Sequence, residues 1–460
     1  MSLKNARHIL RPKTLAGIAS VLLAAAIPAF SQGRPGTRVD LETAVNTALS
    51  NDPQTKLSES ETRTAEARIE EAESGRMPTV NFGQSFTRSN NPVFVFGSLL
   101  EQGRFTEANF ALNPLNHPDG LNNFRTFIEA RVPIFDRRQT SFRTNQARIG
   151  KEKADLNAEA ARQKLRFEVV RSFYGVVLGR SLVDIFDKAV AAAEANLKKT
   201  NDLVDVGMTT KADSLSADVE LARTLQLRLE AESNLASARA EFNLIVEGKT
   251  ETANEPAGEL RETFFPVETR EELIRIALEN RPDYKQAELD IENSLLRSKS
   301  IRDEKLPEVS AFGNYGYSSP YITNGSADYT VGVSLSYTLF DAGRKARLTQ
   351  AAEGETSAGL RMEMLANGIR LEVIRAHEKY ITARAKIQVS IKTIAQSEEA
   401  LRIVQDRYRN ALATFDEVLR AEAALVRSRH DLEMSRYEYY VSYAAVLLAT
   451  GRMTDVRTFE

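Results

Sequence analysis

Two hydrophobic periods run along this chain, and they alternate in the same order twice. From near Asp40 to just before Pro78, apolar residues recur every three or four positions, which predicts a helix of roughly 38 residues. Proline then stops the helix, and the period switches to two. In Thr79–Ser89, Val80, Phe82 and Phe86 share one face, while Thr79, Asn81, Ser85 and Thr87 share the other. A second run, about 122–135, alternates Phe124, Thr126, Ile128, Ala130 and Val132 with Asn123, Arg125, Glu129 and Arg131. A helical period resumes over 137–206 through Phe167, Val170, Val177, Leu182, Ile185, Ala189, Ala193, Leu197 and Val204. After a tight break, a return helix follows over 211–246.

The same series starts again near Thr269. A leading helix ends before Pro307, strands follow at about 308–318 and 329–340, a long helix covers 342–409, and a return helix covers 414–450. Individual residues recur in register. Glu42, Ala48, Leu49, Asn51, Pro53 and Pro78 match Glu271, Ala277, Leu278, Asn280, Pro282 and Pro307, and Phe135-Asp136 matches Phe340-Asp341. The chain is thus divided into residues 1–31, a first repeat 32–246, an equatorial linker 247–267, a second repeat 268–450 and a tail 451–460. Two copies of one supersecondary unit imply an architecture built by repetition, each unit incomplete alone.

The strands carry apolar faces that no narrow helical stripe is wide enough to cover. About ten residues alternating apolar-out and polar-in match a tilted strand of an outer-membrane barrel. Four strands cannot close a barrel, and an open edge in lipid leaves backbone groups unpaired, so several chains must contribute. The long helices, at about 1.5 Å per residue, reach on the order of 100 Å, and their narrow stripes are coiled-coil seams. A return helix and a leading helix placed end to end match one long helix.

An N-terminal address fits this reading. Lys4, Arg7, Arg11 and Lys13 precede an apolar run from Leu15 to Phe30, and Ala29-Phe30-Ser31 offers small residues for cleavage after Ser31: a secretory signal peptide. The chain has no cysteine, which excludes a lipid-modified cysteine anchor and suits an oxidising compartment. Without the address, 57 basic side chains (61 less four) face 63 acidic ones, a net of −6, which argues against nucleic acid. The four histidines show no metal-ligand spacing, and Glu247-Gly248-Lys249-Thr250 lacks the earlier glycine and strand of a phosphate loop. No catalytic, cofactor or metal site is read.

Signal peptide, duplicated helix–strand–strand–helix–helix unit and paired helix breaks together resemble the TolC family of outer-membrane efflux ducts. The likeness is sharpest at the breaks, Val206-Gly207-Met208-Thr209-Thr210-Lys211-Ala212-Asp213 and Tyr408-Arg409-Asn410-Ala411-Leu412-Ala413-Thr414-Phe415-Asp416-Glu417. The resemblance implies a mixed α and β membrane protein. Three chains would form a twelve-stranded barrel in outer-membrane lipid, continuous with a periplasmic α-helical barrel. A periplasmic adaptor and an inner-membrane efflux or secretion pump would be its partners, and the duct itself would be passive.

The helix turns would form the periplasmic entrance and adaptor contact, through Gly207, Thr210, Asp213, Tyr408, Ala411, Thr414, Asp416, Glu417 and Arg420. Family acidic positions fall on Glu417 and Arg420, of which only the first is acidic here. An Asp213–Tyr408 hydrogen bond is expected to hold the entrance closed. Ala411 replaces the family glycine, leaving Asn410 as a second candidate for the left-handed position. The long loop 89–121, rich in phenylalanine, reads either as packing on neighbouring chains or as an exterior lid. A secreted trimeric coiled-coil stalk or adhesin is the alternative; it lacks a role for the antiparallel breaks and the membrane-like strands.

Overall fold

A computed structural model describes residues 38–250, 254–323 and 325–459; the expected signal peptide lies outside them. The chain runs β1 (Arg38–Val39), α1 (Leu41–Asn51), α2 (Pro53–Ser74), β2 (Thr79–Ser89), α3 (Pro92–Glu101), α4 (Leu112–Asn116), β3 (Leu121–Asp136), α5 (Gln139–Asp205) and α6 (Lys211–Glu247). It continues with β4 (Glu255–Pro256), α7 (Arg270–Asn280), α8 (Pro282–Asp303), β5 (Glu308–Ser319), β6 (Ser326–Ser336), α9 (Arg344–Arg409) and α10 (Phe415–Ala449).

Each leading helix, expected as one piece, is two. Pro53 and Pro282 stand at the first position of α2 and α8, and the residues before them, Asp52 and Arg281, are extended. Proline offers no N–H to continue a helix and pushes its predecessor out of the helical region. Asp52 then caps the new helix by accepting the Thr55 N–H at 2.7 Å.

β2, β3, β5 and β6 form one antiparallel sheet in that order. β6 covers 326–336 rather than the expected 329–340, because its partner β5 begins at Glu308, opposite Ser336, and offers nothing further to pair with. One face carries Val80, Phe82, Ile128, Tyr315, Tyr329, Val331, Val333 and Leu335, all exposed. The other carries Asn81, Glu129, Arg125, Asn314, Thr330 and Ser334, and its two rings, Phe127 and Phe312, lie over Gly83 and Gly332. Of the four strands, β2 and β6 are unpaired edges.

Below the sheet, α5 and α9 run as unbroken helices of 67 and 66 residues, about 100 Å each. α2 packs on the upper half of α5 and α6 on its lower half; α8 and α10 divide α9 in the same way. The main core sits where these shorter helices meet, near the midpoints of α5 and α9. Val169, Phe173, Phe242, Leu273, Ile369, Tyr380, Tyr439 and Ala444 are buried there. The linker closes over it: Phe265 stacks on Tyr443, donates its N–H to Tyr439 at 2.7 Å, and accepts from the Tyr380 hydroxyl. The tail is part of this core through Met453, Val456 and Phe459. Arg281 binds the last carbonyls of α10 at Ala449 O (3.1 Å), a favourable place for a cation. No helix among the described residues is long and apolar enough to cross a membrane.

Candidate functional site: the paired helix turns

The two hairpins α5/α6 and α9/α10 end at one level, opposite the sheet. Each long helix closes through the same pair of backbone hydrogen bonds. In the first, Met208 N–H reaches Leu203 O (2.8 Å) and Gly207 N–H reaches Val204 O (2.9 Å). In the second, Leu412 N–H reaches Arg407 O (2.8 Å) and Ala411 N–H reaches Tyr408 O (3.0 Å). This closure requires a left-handed residue at the second donor's position. Gly207 supplies it at φ 74°, and Ala411 supplies it at φ 56°. Asn410 stays at φ −97°, so the strain falls on alanine and not on the asparagine.

The returning helices start with reciprocal caps. Thr210 Oγ1 accepts the Asp213 N–H at 3.2 Å, and Asp213 Oδ2 accepts the Thr210 N–H at 3.1 Å. Thr414 and Glu417 repeat the pattern at 3.3 and 3.2 Å. Hydroxyl donation from Thr210 and Thr209, both at 2.7 Å, holds the Asp213 carboxyl below the usual carboxylate range. This occupies the group expected to bond Tyr408. Within one chain, no Asp213–Tyr408 bond forms; the Tyr408 ring instead lies 5.7 Å from Phe415, in a small apolar cluster with Leu197, Ala217 and Leu419. Arg420 pairs with Asp416 at 2.5 Å on the exposed face of α10, so that its charge is compensated locally. Val206, Met208 and Leu412 project from the turns.

A node that sequence reasoning missed lies above the turns. Glu422 of α10 accepts from Asn196 of α5 at 2.6 Å, and Gln405 of α9 and Glu220 of α6 lie close enough to act on its charge. Burial holds its carboxyl above the ordinary range, and Glu220 adds to the shift. One side chain is therefore influenced from all three other tip helices. Glu422 lies five residues beyond the second turn segment in the sequence, but nothing in its spacing marks it, because Asn196 is remote in the chain. Among the described residues no cluster could hold a metal ion.

An apolar-faced sheet continuous with antiparallel helical walls defines an outer-membrane channel protein. Residues 44–246 and 273–452 match the family described as outer membrane efflux protein. Outer membrane efflux protein BepC of Brucella suis is 23% identical over 342 residues, 71% of this chain and 72% of that protein. Outer membrane protein TolC of Vibrio cholerae is 21% identical over 311 residues, 66% and 71% of the two. The solved structure of a membrane protein from Pseudomonas aeruginosa superposes with TM-score 0.76 at 17% identity, covering 91% of this chain and 92% of that one. The chain belongs to the outer membrane efflux protein family. It is an efflux channel of the outer membrane, reaching into the periplasm.

Proposed function

We propose that three copies close into a twelve-stranded barrel and a helical tunnel, and that this duct passively carries substrates handed to it by an inner-membrane pump through a periplasmic adaptor. One observation carries the reading: both flanks of the chain are unfinished. The sheet ends at β2 on one side and β6 on the other. At the same flanks, α6 exposes Leu215, Val219 and Leu229, while α9 exposes Met364, Val389 and Ile403. α6 packs on α5, α5 on α10, and α10 on α9, so these two apolar seams face away from each other. A copy beside each flank would bury both seams and pair both edge strands.

The helix turns are the proposed entrance, with Gly207, Thr210, Asp213, Tyr408, Ala411, Thr414, Asp416, Glu417 and Arg420 setting its shape and charge. The exposed Val206, Met208 and Leu412 offer the adaptor an apolar foothold. The polar sheet face, with its serines, threonines and asparagines, supports a weakly selective lumen whose cargo is chosen by the pump. Detergent-extracted protein sized by light scattering should show three chains per particle. A monomeric particle with its seams still exposed would refute the duct.

A further inference from the structure

The segment joining β2 to β3 folds rather than loops. α3 is followed by a short 3-10 turn at Glu107–Phe110 and by α4, and the rings of Phe96, Phe105 and Phe110 stack edge to face at 4.9 and 5.1 Å. Its position is informative. Glu101, at the end of α3, lies 3.7 Å from Arg125 Nη1 and 3.3 Å from Ser318 Oγ. The next residue, Gln102, donates from Nε2 to Asn122 O at 2.8 Å and to Asn123 Oδ1 at 3.0 Å. Arg125 is itself held by both oxygens of Asp328, each at 2.9 Å.

Asn123, Arg125, Ser318 and Asp328 belong to β3, β5 and β6 and share the polar face of the sheet. α3 therefore lies across the face that a barrel turns inward, at the end of the strands remote from the helices. Ser318 is 0% exposed beneath it, whereas Thr330 and Ser334, further along the same face, are open. Gln102 is 7% exposed. A loop extending outward into solvent would leave these side chains wet.

We propose that α3 is a lid over the outer mouth of the duct, latched by Glu101 and Gln102 onto the lumen wall. Three copies then constrict the exit, giving the channel a second closure at the end opposite its helix turns. Arg125 serves both wall and lid. Its two bonds to Asp328 persist without Glu101, so Glu101→Gln loosens the lid and spares the wall.

The proposal rests on the barrel reading, and accessibility separates the two. The chain has no cysteine, so Ser334→Cys places a single thiol in the lumen below the lid, and Tyr321→Cys, in the exposed β5–β6 connection, serves as control. Intact cells producing the full chain are treated from outside with an impermeant, polymer-linked maleimide and with a small one. The bulky reagent should label residue 334 slowly. Replacing residues 92–116 by a short Gly-Ser linker should raise that rate about tenfold or more, and Glu101→Gln/Gln102→Ala several-fold, with residue 321 unchanged. If the linker variant does not reach the surface, the double substitution carries the comparison. Equal, rapid labelling of residue 334 in every background overturns the lid and leaves the barrel standing. Labelling of residue 321 alone in every background, the lid variants included and even by the small reagent, overturns both.

Discussion

Ala411→Gly should tighten the second helix turn. Ala411 sits at φ 56°, where its Cβ crowds the backbone at a cost of roughly 1–2 kcal/mol. Glycine removes that cost but gives up roughly 0.5–1 kcal/mol through the greater freedom of the unfolded chain. The middles of these ranges leave a local stabilisation of about 0.75 kcal/mol, or about three- to fourfold in an opening constant. The protected amides are those of Ala411 and Leu412, whose bonds to Tyr408 O and Arg407 O close the turn. Hydrogen exchange followed by mass spectrometry on a peptide spanning 406–418 reads this directly, since turns open locally long before helices of this length unfold. Exchange there should slow by that factor. The reciprocal Gly207→Ala should accelerate exchange at the first turn, where an added Cβ meets no atom within 4 Å and only the φ of 74° resists it. Faster exchange in Ala411→Gly, or no change in either variant, would show that the left-handed position is not what limits turn stability.

Other perturbations follow from the same geometry. Gly451 closes α10 at φ 71°, and a Cβ there would stand 3.0 Å from the Arg281 backbone, so Gly451→Ala should lower the melting temperature clearly more than Gly207→Ala; equal losses would contradict the packing. Thr414→Ala removes a reciprocal cap and should cost about 1 kcal/mol, read as faster exchange in the first turn of α10 and nowhere else. The Asp213 carboxyl, lowered by its threonine donors, contributes stability that is complete above the ordinary aspartate value near 3.9 and is lost as pH falls through the lower folded value. Asp213→Asn should abolish this strong-acid loosening of the first turn, and a turn that loosens equally in the variant would exclude the carboxylate as its cause. Glu422 runs the other way: its raised value means that the folded node takes up a proton first. Stability there rises as pH falls through the folded value, and the gain is complete below the ordinary glutamate value. Glu422→Gln should flatten that pH dependence; a wild-type node that weakens on mild acidification would contradict the assignment.

Much of this was legible because each element keeps one period over its whole length. Val331, Val333 and Leu335 alternate plainly, and the long stripes of α5 and α9 can only be helix. Pro53 and Pro282 were equally visible. The rule that ends the leading helices at Pro78 and Pro307 also divides them at these positions, where an extended residue precedes the ring. The helices of 92–116 gave no such signal, since Phe94, Phe96, Phe105 and Phe110 follow no single stripe. The equatorial closure was invisible for another reason. Phe265, Met453 and Phe459 join residues far apart in the chain, and no local pattern says where a linker or tail will dock. The same holds for Asn196 and Glu422. At the turns, sequence identified the capping threonines, but it gave Asp213 to Tyr408 when nearer hydroxyls, Thr209 and Thr210, take it.

On the duct reading, this chain is one sector of a closed wall, joined to its neighbours along α6 and α9. Leu229 lies 18 residues above the start of α6, and Val389 lies 20 residues above the end of α9, so both stand about 27–30 Å from the turns. They are 62% and 65% exposed, on opposite flanks. In a chain without native cysteine, Leu229→Cys/Val389→Cys can be oxidised in the outer membrane and run on a denaturing gel without reductant. A ladder of one, two and three linked chains, ending at three and collapsing to one on reduction, is the predicted result. A single-chain band after full oxidation, or a ladder continuing beyond three, would contradict it.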